Sequence, residues 1–397
     1  MKKNFILLMV ILLLSCSCGS SSQSLDPQGY HAGTDMQFFE LSNRYMRAKI
    51  QETDTGCFFF HDGFIYRFDR EKGTILPLCS KANCLHDAET DKEKRKECHA
   101  CVDSLLDPDT LTLMLYENNL YAGYVTETLP VRFVKIACDG SSKDVIYEES
   151  GIEVPILHRG YIYYLSHKYK VEDGAIAAAN GYGLFRINVE EKNPKPEQLY
   201  VPPTGISSFT AIKAYGKYVY FGNYAYDKEK ATGVLGLYNI ETGKTEKSNA
   251  QGMYTFLTGK LYTKGGVLEK LSDRYYEVPL SCSTLEGNET KEVLNIPQGV
   301  FLTSDTHYLY INSGSLNAVN PEEKKFFKVY DSSMNLVDEF IVPEEFGDQR
   351  DFPVGGERYL YMRYEDEDTG EWGIMYWDKS SIGTLHGKAP EIVKVVY

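Results

Sequence analysis

Along most of this 397-residue chain the apolar positions come in short runs that turn residues interrupt every few positions. One unit recurs: a short apolar run, a turn, then a tyrosine-rich run. Gly63-Phe64-Ile65-Tyr66 is its first instance, followed by Asn119-Leu120-Tyr121, Gly160-Tyr161-Ile162-Tyr163 and Gly216-Lys217-Tyr218-Val219-Tyr220. Gly259-Lys260-Leu261-Tyr262, His307-Tyr308-Leu309-Tyr310 and Arg358-Tyr359-Leu360-Tyr361 complete the series. Runs of this length bounded by turn residues predict strands joined as hairpins. The closing tyrosines recur at a mean spacing of about 49 residues.

A second hairpin follows the first in most units, as in Phe133-Val134-Lys135-Ile136 before Val145-Ile146-Tyr147, or Leu237-Tyr238-Asn239-Ile240 before Lys244. Four strands at a period of 40 to 50 residues predict an all-β fold, a β-propeller of seven four-stranded blades, with six or eight as neighbouring counts. Packing blades in a ring covers both faces of each sheet and leaves only short edges. Alternation is accordingly blurred, as in Tyr161-Ile162-Tyr163-Tyr164-Leu165. Residues 104–115 and 168–180 are the nearest approaches to a helical pattern, and both read as loops. The first unit shows three strands, at 58–60, 65–68 and 75–78, and residues 45–52 are expected to supply another.

The first residues have a different pattern. Met1-Lys2-Lys3-Asn4 is short and basic, residues 5–14 are apolar without a charge, and Ser15-Cys16-Ser17-Cys18-Gly19 follows. That is the layout of a secretory signal. Ten helical residues rise only about 15 Å, half of a hydrocarbon core, so the stretch is too short to span. Leu13-Leu14-Ser15-Cys16 resembles the cleavage box of bacterial lipoproteins; Ser15-Cys16-Ser17-Cys18 fits less well because Ser15 replaces the leucine. The resemblance implies cleavage before Cys16 and acyl chains on it, a stable anchor when two or more are present. The expected domains are a signal over 1–15, a lipidated cysteine and flexible spacer over 16–40, and a propeller over 41–397 with a Cys/His-rich loop at 79–101. The expected location is the extracytoplasmic face of the cell membrane.

Composition narrows the partners. With 42 basic and 56 acidic residues the net charge is −14, which repels phosphate backbones and argues against nucleic acid. Of nine cysteines, Cys57, Cys138 and Cys282 sit singly in strand-like runs and read as small buried hydrophobes. Cys79-x4-Cys84-x-His86 and Cys98-His99-x-Cys101 are a cluster. Zinc takes four Cys or His ligands from close-spaced pairs, and Cys98 and Cys101 have such spacing. Thiols outside the cytoplasm also oxidise, and disulfides would staple the charged loop 87–97. Free thiols in a reducing niche are the third reading. Each assigns the cluster a structural role, and a structural zinc is the one cofactor under consideration.

Glu71-Lys72-Gly73-Thr74-Ile75-Leu76-Pro77-Leu78-Cys79-Ser80-Lys81-Ala82-Asn83-Cys84-Leu85-His86-Asp87 resembles a segment of exported lipoproteins of gut Firmicutes. Their propellers are similar to the DUF5050 or low-density-lipoprotein-receptor-related class. That class is marked by Tyr-Trp-Thr-Asp, which Met375-Tyr376-Trp377-Asp378 approaches without the threonine. The resemblance implies an architecture and carries no settled activity.

No catalytic residue emerges. A Ser-x-Asp-x-Gly-x-Thr-Trp box, Gly-x-Ser-x-Gly, His-Glu-x-x-His and a phosphate loop are all absent from the sequence. Asp366-Glu367-Asp368-Thr369-Gly370 reads as a solvated hairpin tip. The expected function is a membrane-tethered, non-enzymatic binding or scaffold module for a protein or glycan, with a carbohydrate-active propeller enzyme of glycosidase or lyase type as the alternative.

Overall fold

A computed structural model describes residues 31, 34–35, 50–102, 111–126, 130–166, 169–172, 175–178, 183–202, 208–227, 230–250, 252–265, 276–313, 326–341, 354–366 and 368–395. Cys16 and the stretch read as a signal lie outside them. The described chain forms seven antiparallel four-stranded sheets, the blades, at 50–77, 112–149, 152–200, 208–247, 253–297, 301–341 and 354–394. Strands in each blade follow in chain order, except that blade 3 admits a two-stranded hairpin between its second and third strands. That hairpin, Tyr169–Glu172 with Ala175–Ala178, occupies a segment expected to be a loop. Strand Thr112–Tyr116 likewise replaces the end of the expected loop at 104–115. The first strand of blade 1, Ile50–Thr53, overlaps the stretch at 45–52 expected to supply it, and Thr74–Pro77 is the fourth.

Six of the seven recurrent tyrosines lie on the second strand of their blade, and all seven are buried. Tyr66 is the exception, on the third strand of blade 1. The counterpart of the others there is Phe58, which pairs with Gln51 as Tyr121 pairs with Met114. Asp62-Gly63, at φ 40° and 82°, is the turn between the second and third strands. Left-handed turn residues serve both hairpins of a blade, so turn chemistry alone does not distinguish one from the other.

The core lies between blades. One cluster of buried apolar side chains joins blades 2 and 3, another 3 and 4, and so on round the ring; the largest unites blades 7, 1 and 2. Among the described residues no strand is exchanged where the ring closes. Trp372 of blade 7 stacks on His61 at 3.9 Å and packs edge-on against Tyr66 at 4.7 Å. Burial, with Arg363 nearby, lowers the His61 pKa to about 4, so a neutral imidazole meets the indole. The Glu52 carboxylate accepts from the backbone N–H groups of Arg358 and Tyr359, both at 3.2 Å.

Candidate functional site

After the fourth strand of blade 1 the chain leaves the sheet and comes back to it. The Leu78 N–H donates to the Ile65 carbonyl, and on the return the Ile65 N–H donates to Ala100 and the Val102 N–H to Gly63. Residues 78–102 thus leave and rejoin the same third strand. Between them stands the short helix Lys92–Glu97, all charged and with no buried residue. Asp91 caps it, accepting from the Glu93 and Lys94 N–H groups at 3.0 and 3.4 Å. A six-residue helix without an apolar face has little reason of its own to persist.

What fixes the excursion is a cluster of side chains at its two ends. Donor atoms of Cys79, Cys84, His86 and Cys98 all lie within 4.8 Å of one another. Cys98 Sγ is 3.6 Å from His86 Nδ1. Asn83 and His86 adopt left-handed backbone angles, φ 64° and 52°, which bend the loop back toward Cys79. The Tyr66 hydroxyl donates to Asp87 at 2.9 Å and ties the bend to blade 1.

The grouping differs from the pairing that spacing suggested. Cys101 is not among the four. It bridges to Phe64 on the edge of the sheet and belongs to the hydrophobic cluster of blades 7, 1 and 2. Cys98 is buried in the same cluster, but it lies before the point where the strand resumes at Ala100, and its sulfur meets His86. His99 is a structural residue, its Nδ1 2.8 Å from the Gly140 carbonyl. Among the described residues every cysteine is a free thiol. Cys57 is buried as expected, while Cys138 and Cys282 are half-buried.

Burial alone would raise the Cys79 thiol. Backbone N–H groups of Lys81 and His99 and the thiols of Cys98 and Cys84 outweigh it, and the net direction is downward. Burial, with Cys79 and Cys84 alongside, pushes Cys98 upward. Lys143 of blade 2 donates to the carbonyls of Cys98, Cys101 and Lys96 at 2.7, 3.0 and 3.1 Å. Gly140, φ 73°, lets its turn lie against Cys79: a Cβ there would stand 2.8 Å from the Cys79 nitrogen. Neither Lys143 nor Gly140 was identifiable from motif spacing, because both come from the neighbouring blade.

The same blade 2 turn walls a cavity of about 990 Å³ on its other side. Cys138 and Asp139 line it with Glu52, Asp54, Arg67 and Arg70 from blade 1, Glu117 from blade 2 and Arg358 from blade 7. Arg70 and Arg358 cover Tyr359 at 4.0 and 5.1 Å from its ring. Burial raises the Glu52 pKa to about 7, with its backbone N–H partners and Lys379 pulling the other way. Asp35 also reaches the wall and forms a two-pronged ion pair with Arg159 of blade 3, at 2.8 and 3.1 Å. That docking point lies inside the stretch read as a flexible spacer. Asp366 accepts from the N–H groups of Asp368 and Thr369, both at 3.0 Å, and forms a hairpin tip as expected.

No protein-family model matches the chain, and no curated protein sequence does. Solved structures do. A prolyl endopeptidase superposes with a TM-score of 0.54 at 10% identity, over 89% of this chain and 50% of that one. An acylaminoacyl peptidase in complex with Z-Gly-Gly-Phe-chloromethyl ketone gives 0.51 at 9% identity, over 86% and 51%. The β-propeller domain of the Trilobed protease from Pyrococcus furiosus gives 0.46 at 9%, over 87% and 96%. What they share is the β-propeller. This propeller chain spans about half the length of the two peptidases. At such identities the likeness shows the fold alone. Among the described residues no helix is long and apolar enough to cross a membrane.

Proposed function

We propose that this chain is an extracytoplasmic β-propeller, tethered to the membrane by lipid on Cys16, that binds a glycan or protein without transforming it. The cavity at blades 7, 1 and 2 carries the binding reading. Its wall sets guanidinium donors among carboxylate acceptors, and its volume suits a small ligand or a few sugar rings. The Arg67 side chain on that wall lies near Asp69 and Cys138 and carries its charge at the edge of the cavity. Hydroxyl groups donate and accept at once, so a sugar satisfies both kinds of wall group. A polyanion would instead meet Glu52, Asp54, Glu117, Asp139 and Glu357. A glycan is therefore the first choice and a protein the second.

The test is a glycan array with the full chain in detergent, followed by calorimetry on any hit. Binding that weakens on Arg67→Ala, with the oligosaccharide recovered intact, supports the reading; turnover of the oligosaccharide overturns its non-enzymatic part. The anchor is tested separately by palmitate labelling, where Cys16→Ala should abolish the label and release the protein from membranes. Retention of both by the variant would defeat the assignment.

Glu52 favours a second reading. A carboxyl lining a cavity with its pKa raised to about 7 is suited to general acid work. The carbohydrate-active alternative therefore predicts that Glu52→Gln abolishes any turnover found.

A further inference from the structure

We infer that Cys79, Cys84, His86 and Cys98 form a closed, four-ligand zinc site whose ion pins together the two ends of the charged excursion of blade 1. The donor set is three thiols and one imidazole, mutually within 4.8 Å. Zinc–sulfur bonds of about 2.3 Å and zinc–nitrogen bonds of about 2.0 Å, at the tetrahedral angle, separate sulfur from nitrogen by about 3.5 Å and sulfurs by about 3.8 Å. The 3.6 Å between Cys98 Sγ and His86 Nδ1 matches that edge.

Two further observations point the same way. Lys143, hydrogen-bonded to the carbonyls of Cys98 and Cys101, supplies positive charge beside a site that would carry a net charge of −1 with a divalent ion. Finally, the helix between the ligands buries nothing, and left-handed angles at Asn83 and His86 must be held by something other than apolar packing. A disulfide accounts for less: it would join two of three thiols, strand the third and leave the imidazole beside Cys98 without a task.

Four protein ligands leave no open position for substrate, so the role is structural. The ion replaces the thiol protons, which pass to solvent, and nothing is oxidised.

The experiment is metal analysis of the full chain, purified in detergent with a thiol reductant, after zinc exposure and desalting. We expect roughly one zinc per chain, as for one four-ligand site. Cys84→Ser and His86→Ala should each fall to background, while Cys101→Ser should keep the metal. Cobalt substituted into the unmutated chain should give the strong visible bands of a tetrahedral thiolate site, a readout that needs no variant to fold. Background zinc in the wild type, metal lost in Cys101→Ser but kept in Cys84→Ser, or a disulfide among Cys79, Cys84 and Cys98 in peptide maps of unreduced native protein would each overturn the inference.

Discussion

Blade 1 is held differently on its two sides. Toward blade 7 the joint is largely aromatic: Trp372 against His61, Phe59 and Tyr66, with Phe68 packed on Tyr376. On its outer edge toward blade 2 the excursion 78–102 presents a wholly charged helix, held chiefly by directional contacts: the sulfur and imidazole cluster, the Lys143 ammonium, Arg95 on the Asp62 carbonyl and backbone hydrogen bonds at its two ends. Burial of apolar area is non-directional and grows with every ring added. Donor chemistry is directional and rests on a few atoms. The ring closure therefore relies on the first kind of bond where failure would open the whole fold. It uses the second where failure would free one surface segment.

The largest test of that contrast is Trp372→Ala. Removing a buried indole from a packed aromatic cluster costs about 3–5 kcal/mol. Chemical denaturation should show that loss in global stability, and Cys84→Ser measured alongside should show much less. A Trp372→Ala loss below about 1 kcal/mol would mean that the ring does not depend on its closing joint.

Next in size is a pH effect at the same joint. Glu52 has its pKa raised from 4.5 to about 7 in the folded chain, chiefly by burial. The folded state therefore holds a proton that the unfolded state releases between pH 4.5 and 7. Stability from this group is full below pH 4.5 and declines as pH rises to 7, by about 3 kcal/mol in all. Glu52→Gln, which keeps a carbonyl acceptor for the Arg358 and Tyr359 N–H groups, should flatten that decline and be the more stable protein at pH 8. Equal slopes for the two proteins across pH 4.5–7 would contradict the assignment.

Both joints bear on how much was legible beforehand. The seven units could be read because burial acts on each blade alike, so tyrosines of the second strand recur where two blades meet. The strands of blade 1 fall where the sequence puts them, but Tyr66 was aligned with second-strand tyrosines because Asp62-Gly63 imitates the turns that precede them elsewhere. Cys101 was grouped with Cys98 because spacing measures distance along the chain, whereas one hydrogen bond, from the Ile65 N–H to Ala100, decides where the strand resumes. The cavity could not be read at all. Glu52 and Arg358 are 306 residues apart and become neighbours only when the ring closes.

The smaller effects belong to the excursion. Lys143→Met removes the donor to three carbonyls and should cost about 2 kcal/mol. It should also raise hydrogen exchange across residues 96–102, while the strands of blade 1 stay protected. Asp91→Ala is the smallest and the most discriminating. It removes a side-chain cap from the helix Lys92–Glu97, a change worth about 1 kcal/mol where the helix contributes to stability. If the ligand cluster and Lys143 hold the excursion, frayed helix amides should be the whole consequence: faster exchange at 92–97, an unchanged unfolding midpoint and unchanged metal content. A drop in global stability beyond about 2 kcal/mol would exceed any capping effect. It would show that the helix carries load for the ring and that the two sides of blade 1 are less different than their chemistry suggests.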